Sequence, residues 1–143
     1  MHPIVERTLG KTLVVHQWLY ERTDGRVGAK LAGRPMLLLR TVGRRSGEPR
    51  TSALLYVRDG DDYAVVASKG GAPKNPGWYH NLVADPDVEI QIGRDRIPVH
   101  ARVAEDEEHT KLWSLANAVN KGQYDAYQAR TDRDIPVVVL EPR

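Results

Sequence analysis

Pro35-Met36-Leu37-Leu38-Leu39-Arg40-Thr41-Val42, Ala53-Leu54-Leu55-Tyr56-Val57 and Tyr63-Ala64-Val65-Val66-Ala67 stand close together in the first half of the chain, and reading them as strands decides the fold. Each is an apolar run too short for an ordinary helix and bounded by turn-forming residues. The first runs into Gly43-Arg44-Arg45-Ser46-Gly47-Glu48-Pro49-Arg50. Asp59-Gly60-Asp61-Asp62 reads as a hairpin turn between the second and third. The third delivers the chain to Ser68-Lys69-Gly70-Gly71-Ala72-Pro73-Lys74-Asn75-Pro76-Gly77-Trp78. The spacing thus predicts a meander with a glycine-rich cationic loop at each of two strand ends.

Those loops carry the functional signal. Arg44, Arg45, Arg50, Lys69 and Lys74 supply positive charge, and the glycines let backbone N–H groups approach a ligand closely. Asn75 is expected as the N-cap and Pro76 as the first residue of a helix running to about Ala84, where Asp85-Pro86 stops it. Its N-terminus would add a further preference for negative charge. An acidic, phosphorylated ligand is the expected occupant. Residues 34–75 hold eight Lys/Arg against four Asp/Glu, a local +4 in a chain of net charge +2, so the remainder is acidic. Such local basicity suits a small anion and disfavours nucleic acid, which calls for a basic stripe along the whole domain.

Beyond the loops the pattern alternates. Val88, Ile90 and Ile92 interleave with polar residues, as do Ile97, Val99, Ala101 and Val103, giving two half-exposed strands joined at Gly93-Arg94-Asp95. Asp106 is expected to cap a helix whose apolar face is Leu112, Leu115, Ala116 and Val119, ending near Gly122. A short helix from Tyr124 to about Arg130 precedes a last strand, Ile135 to Leu140. Six strands linked mostly by tight turns, with no βαβ rhythm, predict an antiparallel β-barrel with flanking helices in an α+β domain. The 143 residues suit one domain, with residues 35–143 forming the barrel. Residues 1–34 are read as an amphipathic helix over 4–21 and a connecting loop. Trp18 and Tyr20 beside basic residues would let that helix lie on a membrane surface or cover a pocket, and packing on the domain or a dimer mate is the plainer reading.

Several chemistries lack their residues. With no cysteine there is no disulfide, thiolate nucleophile or Cys-ligated metal, as suits a reducing cytosol. The five histidines are scattered without a paired ligand motif, so no metal site is expected. Ser46 and Ser68 lack the setting of a hydrolase nucleophile and read as hydroxyl donors to phosphate. Neither loop is a Walker loop or a dinucleotide fingerprint. No stretch approaches the ~20 apolar residues of a membrane span, and no signal peptide is evident. A cytoplasmic protein, or one peripheral at the inner face of the membrane, is expected.

At these loops the chain resembles the deazaflavin-dependent nitroreductases, or coenzyme F420H2-dependent quinone reductases, of actinobacteria. The resemblance rests on Thr41–Arg50, Ala67–Leu82, Asp85-Pro86, Tyr124–Gln128 and Thr131–Pro136, and spans roughly Pro35 to Pro142. It implies a split β-barrel like those of flavin reductases and pyridoxamine-phosphate oxidases, and it implies coenzyme F420, with its phosphodiester and oligoglutamate tail, as the anion. By similarity Arg44, Arg45, Ser46, Gly47 and Arg50 hold phosphate and tail, with Lys69 and Lys74 adding charge. Ser68, Gly70, Gly71, Asn75, Trp78 and Tyr79 lie along the deazaflavin and its linker. The resemblance further implies hydride transfer from F420H2 to a small electron-poor acceptor, a quinone, enone or nitro compound. Tyr127 first and Tyr124 second are the candidates to stabilise or protonate the reduced acceptor. Nitro-reducing members carry an aromatic residue after the Tyr-x-x-Tyr block, whereas Ala129-Arg130 stand here and point to a more polar acceptor. Two alternatives remain open: an FMN-binding reductase on the same barrel, and a non-catalytic carrier of F420, a fatty acid or a tetrapyrrole. Monomer and homodimer are equally expected. Arg133 and Asp134 read as a surface ion pair.

Overall fold

The computed structural model describes residues 30–31 and 34–143, so the helix expected over 4–21, and any membrane contact through it, lie outside the described residues. Among the described residues, eight strands and three α-helices follow in the order β1 (Lys30–Leu31), β2 (Arg34–Val42), β3 (Pro49–Leu55), β4 (Val57–Asp59), β5 (Asp62–Val66), α1 (Gly77–Ala84), β6 (Asp87–Ile92), β7 (Asp95–Val103), α2 (Asp106–Val119), α3 (Gln123–Gln128) and β8 (Val137–Pro142). All pairings are antiparallel, along the path β1-β2-β6-β7-β8-β5-β4, with β3 on the other side of β2. Only Tyr56 separates β3, which pairs with β2, from β4, which pairs with β5. One bent stretch of chain therefore joins both ends of the path and curls the sheet into the expected barrel. The simple meander is corrected by the same fact. What reads as a second strand, Ala53–Val57, belongs to two pairings, and β5 has β8 rather than β3 beside it.

The apolar runs that suggested buried strands are explained by two-sided burial. Tyr63 and Val65 of β5 and Val138 and Leu140 of β8 point into the barrel with Leu37, Leu39 and Ile90. Ala64, Val66, Val137 and Val139 point the other way, against Leu112 and Ala116 of α2 and Tyr124 of α3. Strands covered on both faces read as continuous hydrophobic runs. β6 and β7 alternate with Val88, Ile90, Val99 and Ala101 inward, but Gln91, read as a half-exposed position, is 1% exposed, its Oε1 accepting from Arg40 Nη2 at 2.6 Å. Leu115 departs from its expected face and is 41% exposed, since α2 docks through Leu112 and Ala116.

The helix ends also differ from expectation. Neither Asn75 nor Asp106 caps: the N-cap positions are Pro76 and Glu105, and neither makes a side-chain capping bond. Asn75 instead gives its carboxamide oxygen to Arg133 at 2.7 Å, because a guanidinium donor bonds more strongly than a neutral amide. α2 closes with Gly122 N–H donating to Asn117 O at 2.8 Å and Lys121 N–H to Ala118 O at 3.2 Å, and the stop takes two successive left-handed residues, Lys121 with φ +56° and the expected Gly122 with φ +80°. Lys121→Gly should therefore raise stability by up to about 1 kcal/mol, read as a shifted urea midpoint with unchanged slope.

Candidate functional site

The first cationic loop is the β2–β3 hairpin connection, closed by the Val42–Pro49 pair. Gly43 N–H donates to Glu48 O, and Gly47 N–H to Gly43 O, each at 2.8 Å. A Cβ on Gly43 would fall 2.6 Å from Ser46 Oγ, so any larger residue there would turn the Ser46 hydroxyl away from the Glu48 N–H that donates to it. Arg44 is aimed from outside the loop. Its backbone N–H and its Nη1 both donate to Asn81 Oδ1, at 3.1 and 3.2 Å. Asn81 is 6% exposed on α1 and is itself held through Nδ2 to Thr41 Oγ1 on β2 at 3.3 Å. One buried carboxamide thus connects helix, strand and loop.

These elements enclose an open cavity of about 440 Å³. The loop contributes Arg44, Arg45 and Ser46, β3 contributes Arg50, read from the sequence as part of the loop, with Thr51 and Ser52, and α1 contributes Trp78 and Asn81. No carboxylate lines it. Among the described residues Arg44 and Arg45 pair with no acid, and Arg50 meets only exposed Glu48 at 3.9 Å. Three guanidinium groups beside three hydroxyls make a donor-rich, acceptor-poor surface, which can bind phosphate or carboxylate bidentately. Trp78 also packs against the barrel core, so it serves wall and core together.

The other expected site residues lie elsewhere. Gly47, Ser68, Lys69, Gly70, Gly71, Lys74, Asn75 and Tyr79 do not line this cavity. Lys69–Gly71 form a single 3₁₀ turn against α3, where Arg130 Nη1 reaches Gly70 O at 3.4 Å. Among the described residues no hydrogen bond or ion pair joins the two loops. The second runs into α1, and α1 carries Trp78 and Asn81 to the first. Among the described residues Lys69 and Lys74 have no carboxylate partner, leaving their charge available. Tyr79 packs against the barrel core. Of the two tyrosines, Tyr124 is 5% exposed within the core between sheet and helices, and burial holds its phenol above the ordinary range. Tyr127 is half-buried, and its hydroxyl donates to Gln123 Oε1 at 3.0 Å.

Arg133 corrects another expectation. It forms no surface ion pair with Asp134: it is half-buried and spends its guanidinium on the second loop, on Ala67 O, Ser68 O, Ala72 O and Asn75 Oδ1.

The F420H(2)-dependent quinone reductase family matches residues 12–142. The chain belongs to that family. An F420H(2)-dependent quinone reductase of Mycobacterium tuberculosis is 48% identical over 143 residues, 97% of this chain and 96% of the relative. Among solved structures, an F420H2-dependent reductase is 44% identical, with a TM-score of 0.69 over 76% of this chain and 95% of its own. A domain-swapped dimer is 40% identical, with a TM-score of 0.70 over 87% of this chain and 98% of its own. A pyridoxamine 5′-phosphate oxidase fold from Listeria innocua, 19% identical over 76% of this chain and 83% of its own with a TM-score of 0.54, shares the architecture alone. The split barrel implied by the resemblance is therefore the fold of this F420H(2)-dependent quinone reductase family member.

In this family member, sequence reasoning gave no role to Asn81, Thr51 or Ser52, yet all three line the cavity. Asn81 left one faint signal: a carboxamide beside Leu82 in a short helix, where an apolar residue would cost less to bury. Thr51 and Ser52 left none, because which face of β3 fronts the cavity follows from its register with β2, Arg40 opposite Thr51 and Leu39 opposite Ser52.

Proposed function

We propose that this protein is an F420H2-dependent reductase that delivers hydride to a quinone, with enones and nitro compounds as further, weaker acceptors. The carrying observation is the carboxylate-free cavity, lined by three arginines and three hydroxyls, within a chain of this family. That donor set fits the phosphodiester and glutamate tail of F420. Arg44, Arg45, Ser46 and Arg50 hold these groups, with Asn81 keeping Arg44 aimed and Gly47 shaping the turn. Lys69 and Lys74 add charge along the second loop, and Ser68, Gly70, Gly71, Asn75, Trp78 and Tyr79 belong to the deazaflavin side.

Reduced deazaflavin, when bound, supplies a hydride from C5. The chain's part is to orient acceptor and donor, exclude water and stabilise the negative charge that arrives with the hydride. Tyr127 is the proton donor we favour, since its hydroxyl is half-buried rather than enclosed in the core like that of Tyr124. The guanidinium of Arg130 lies 5.6 Å from the centre of the Tyr127 ring, placing a cation where nitro-reducing relatives carry an aromatic. A cation beside the donor stabilises negative charge gathered on an acceptor oxygen, as on a quinone that has received hydride, and it is the family that favours the quinone among such acceptors. FMN has no support in a family defined by F420. Of the two oligomeric expectations, the homodimer has the domain-swapped relative behind it.

Titration with F420 and FMN in parallel, followed by turnover with F420H2 across quinone, enone and nitro acceptors, tests this reading. Selective F420 binding with quinone turnover is expected. Binding without turnover would assign carriage instead, and preference for FMN would overturn the cofactor. Tyr127→Phe should lower kcat about tenfold or more while leaving F420 affinity within a factor of two, as expected for a group acting only in the transition state. Unchanged kcat would remove Tyr127 from the chemistry.

A further inference from the structure

Among the described residues, the most concentrated side-chain hydrogen bonding outside the cavity is at Arg133. Its Nε donates to Ala72 O at 2.8 Å, its Nη2 to Ser68 O at 2.7 Å, and its Nη1 to both Ala67 O at 3.2 Å and Asn75 Oδ1 at 2.7 Å. One planar cation thus binds four acceptors some sixty residues away, all in the loop that leads into α1. Arg133 is aimed in turn by Gln128 on α3, whose Nε2 donates to Arg133 O at 2.7 Å and whose Oε1 accepts from Ile135 N–H at 3.1 Å.

This arrangement has a consequence on the far side of the loop. In a trans peptide the C=O and the following N–H point in opposite directions. Drawing Ala67 O and Ser68 O toward Arg133 therefore turns the N–H groups of Ser68 and Lys69 away from it. Ser68 is right-handed helical, with φ −78° and ψ −40°, and Lys69 follows with φ +45°. A right-handed residue followed by a left-handed one makes successive N–H groups converge into a concave donor nest for an anion. Among the described residues, nothing accepts from the N–H of Ser68, Lys69 or Gly70, whereas Gly71 and Ala72 N–H are used within the turn, on Ser68 O and Lys69 O. Lys69 and Gly70 are exposed, and the Lys69 ammonium adds positive charge at the same place.

We propose that Arg133 is a positioning residue that holds the Ser68–Gly70 amides as a preformed nest for an anionic oxygen of the bound cofactor. The proposal rests on the F420 reading and adds to it both a receiving group and the residue that shapes it. A nest built in advance lowers the ordering cost that binding would otherwise carry. A left-handed lysine, unfavourable by itself, is kept in that conformation because Arg133 fixes the carbonyls before and after it.

The test is a titration of ¹⁵N-labelled full-length protein with F420, alongside Kd measurements on Arg133→Ala and Arg133→Lys. Addition of F420 to the wild type should shift the amides of Ser68, Lys69 and Gly70. Arg133→Ala should bind roughly ten- to a hundredfold more weakly, the range typical when an outer group orienting a ligand-binding group is lost. Guanidinium ion at millimolar concentration should restore part of that loss, and Arg133→Lys should fall between, since an ammonium cannot reach four acceptors with a fork geometry. Wild-type binding with shifts confined to residues 43–52 and 77–81 would overturn the nest and leave the F420 reading standing. A folded Arg133→Ala with wild-type affinity would overturn the positioning role. Absence of any wild-type binding would overturn both. Should Arg133→Ala fail to fold, the wild-type amide shifts still decide whether the nest receives the ligand.

Discussion

Asn81→Asp is expected to weaken F420 binding about a hundredfold while the protein stays folded, since one added negative charge about 6 Å from an anionic ligand costs about 3 kcal/mol at an effective dielectric near 20. The substitution is nearly isosteric, and its effect is electrostatic. An aspartate can still accept from Arg44 N–H and Nη1, as Asn81 Oδ1 does at 3.1 and 3.2 Å. The Thr41 hydroxyl, which accepts from Asn81 Nδ2, can turn and donate to the new carboxylate. The difference is that Arg44 then has a carboxylate partner in a cavity that is lined by none. Fluorescence titration at two salt concentrations checks the argument: the deficit should shrink as salt rises, because screening weakens the added repulsion. Asn81→Ala is the companion. It adds no charge but removes the acceptor for Arg44, so it should lose affinity less steeply and lose more stability, as expected when a buried hydrogen-bonded group is deleted. An Asp variant that binds like the wild type would show that the anion lies outside this cavity.

Gly71→Ala should cost roughly 3–4 kcal/mol of stability, combining about 1–2 kcal/mol for a left-handed alanine with a comparable cost for a backbone clash. Gly71 has φ +82°, and a Cβ there would sit 2.6 Å from Tyr127 O and 3.0 Å from Arg130 Cβ. A backbone carbonyl within a helix cannot rotate away as a flexible side chain can, so either the second loop or α3 must shift. Either movement separates Lys69–Gly71 from Tyr127. Urea unfolding and F420 titration together read both consequences, and affinity should fall along with stability. Gly47→Ala supplies the contrast: φ is +72°, with nothing within 4 Å of the added Cβ, so only conformational strain of about 1–2 kcal/mol is expected. Equal losses at the two positions would mean that the contact with α3 contributes nothing.

The legible part of the site was local. Gly43-Arg44-Arg45-Ser46-Gly47 announces an anion-binding turn because charge and backbone freedom are properties of adjacent residues, and the hairpin forms as its flanking strands predict. The second loop was legible as a loop, but where it sits relative to the first was not. Its glycines and lysines have the right composition, yet its contacts are to α3 and Arg133, more than 50 residues onward. Asn75 shows the same limit. An Asn before Pro is a sound capping signal, and it fails here because Arg133, remote in sequence, offers the Asn oxygen a charged donor.

The six apolar strand runs, the two-residue turns and the barrel class were determined by the sequence alone, since apolar period, turn chemistry and the number of short strands are written within windows of a few residues, whereas β1, Lys30–Leu31, lies in a stretch read as a connecting loop. The family followed from the same local blocks. Tertiary structure alone decided the closure at Tyr56, which makes one reading-frame strand serve two pairings, and the choice of Asn81 and Arg133 as the residues that aim the loops. Both are decisions about which distant groups come within hydrogen-bonding distance. Such proximity depends on how the whole sheet curls, a quantity summed over all eight strands and carried by no single segment of the chain.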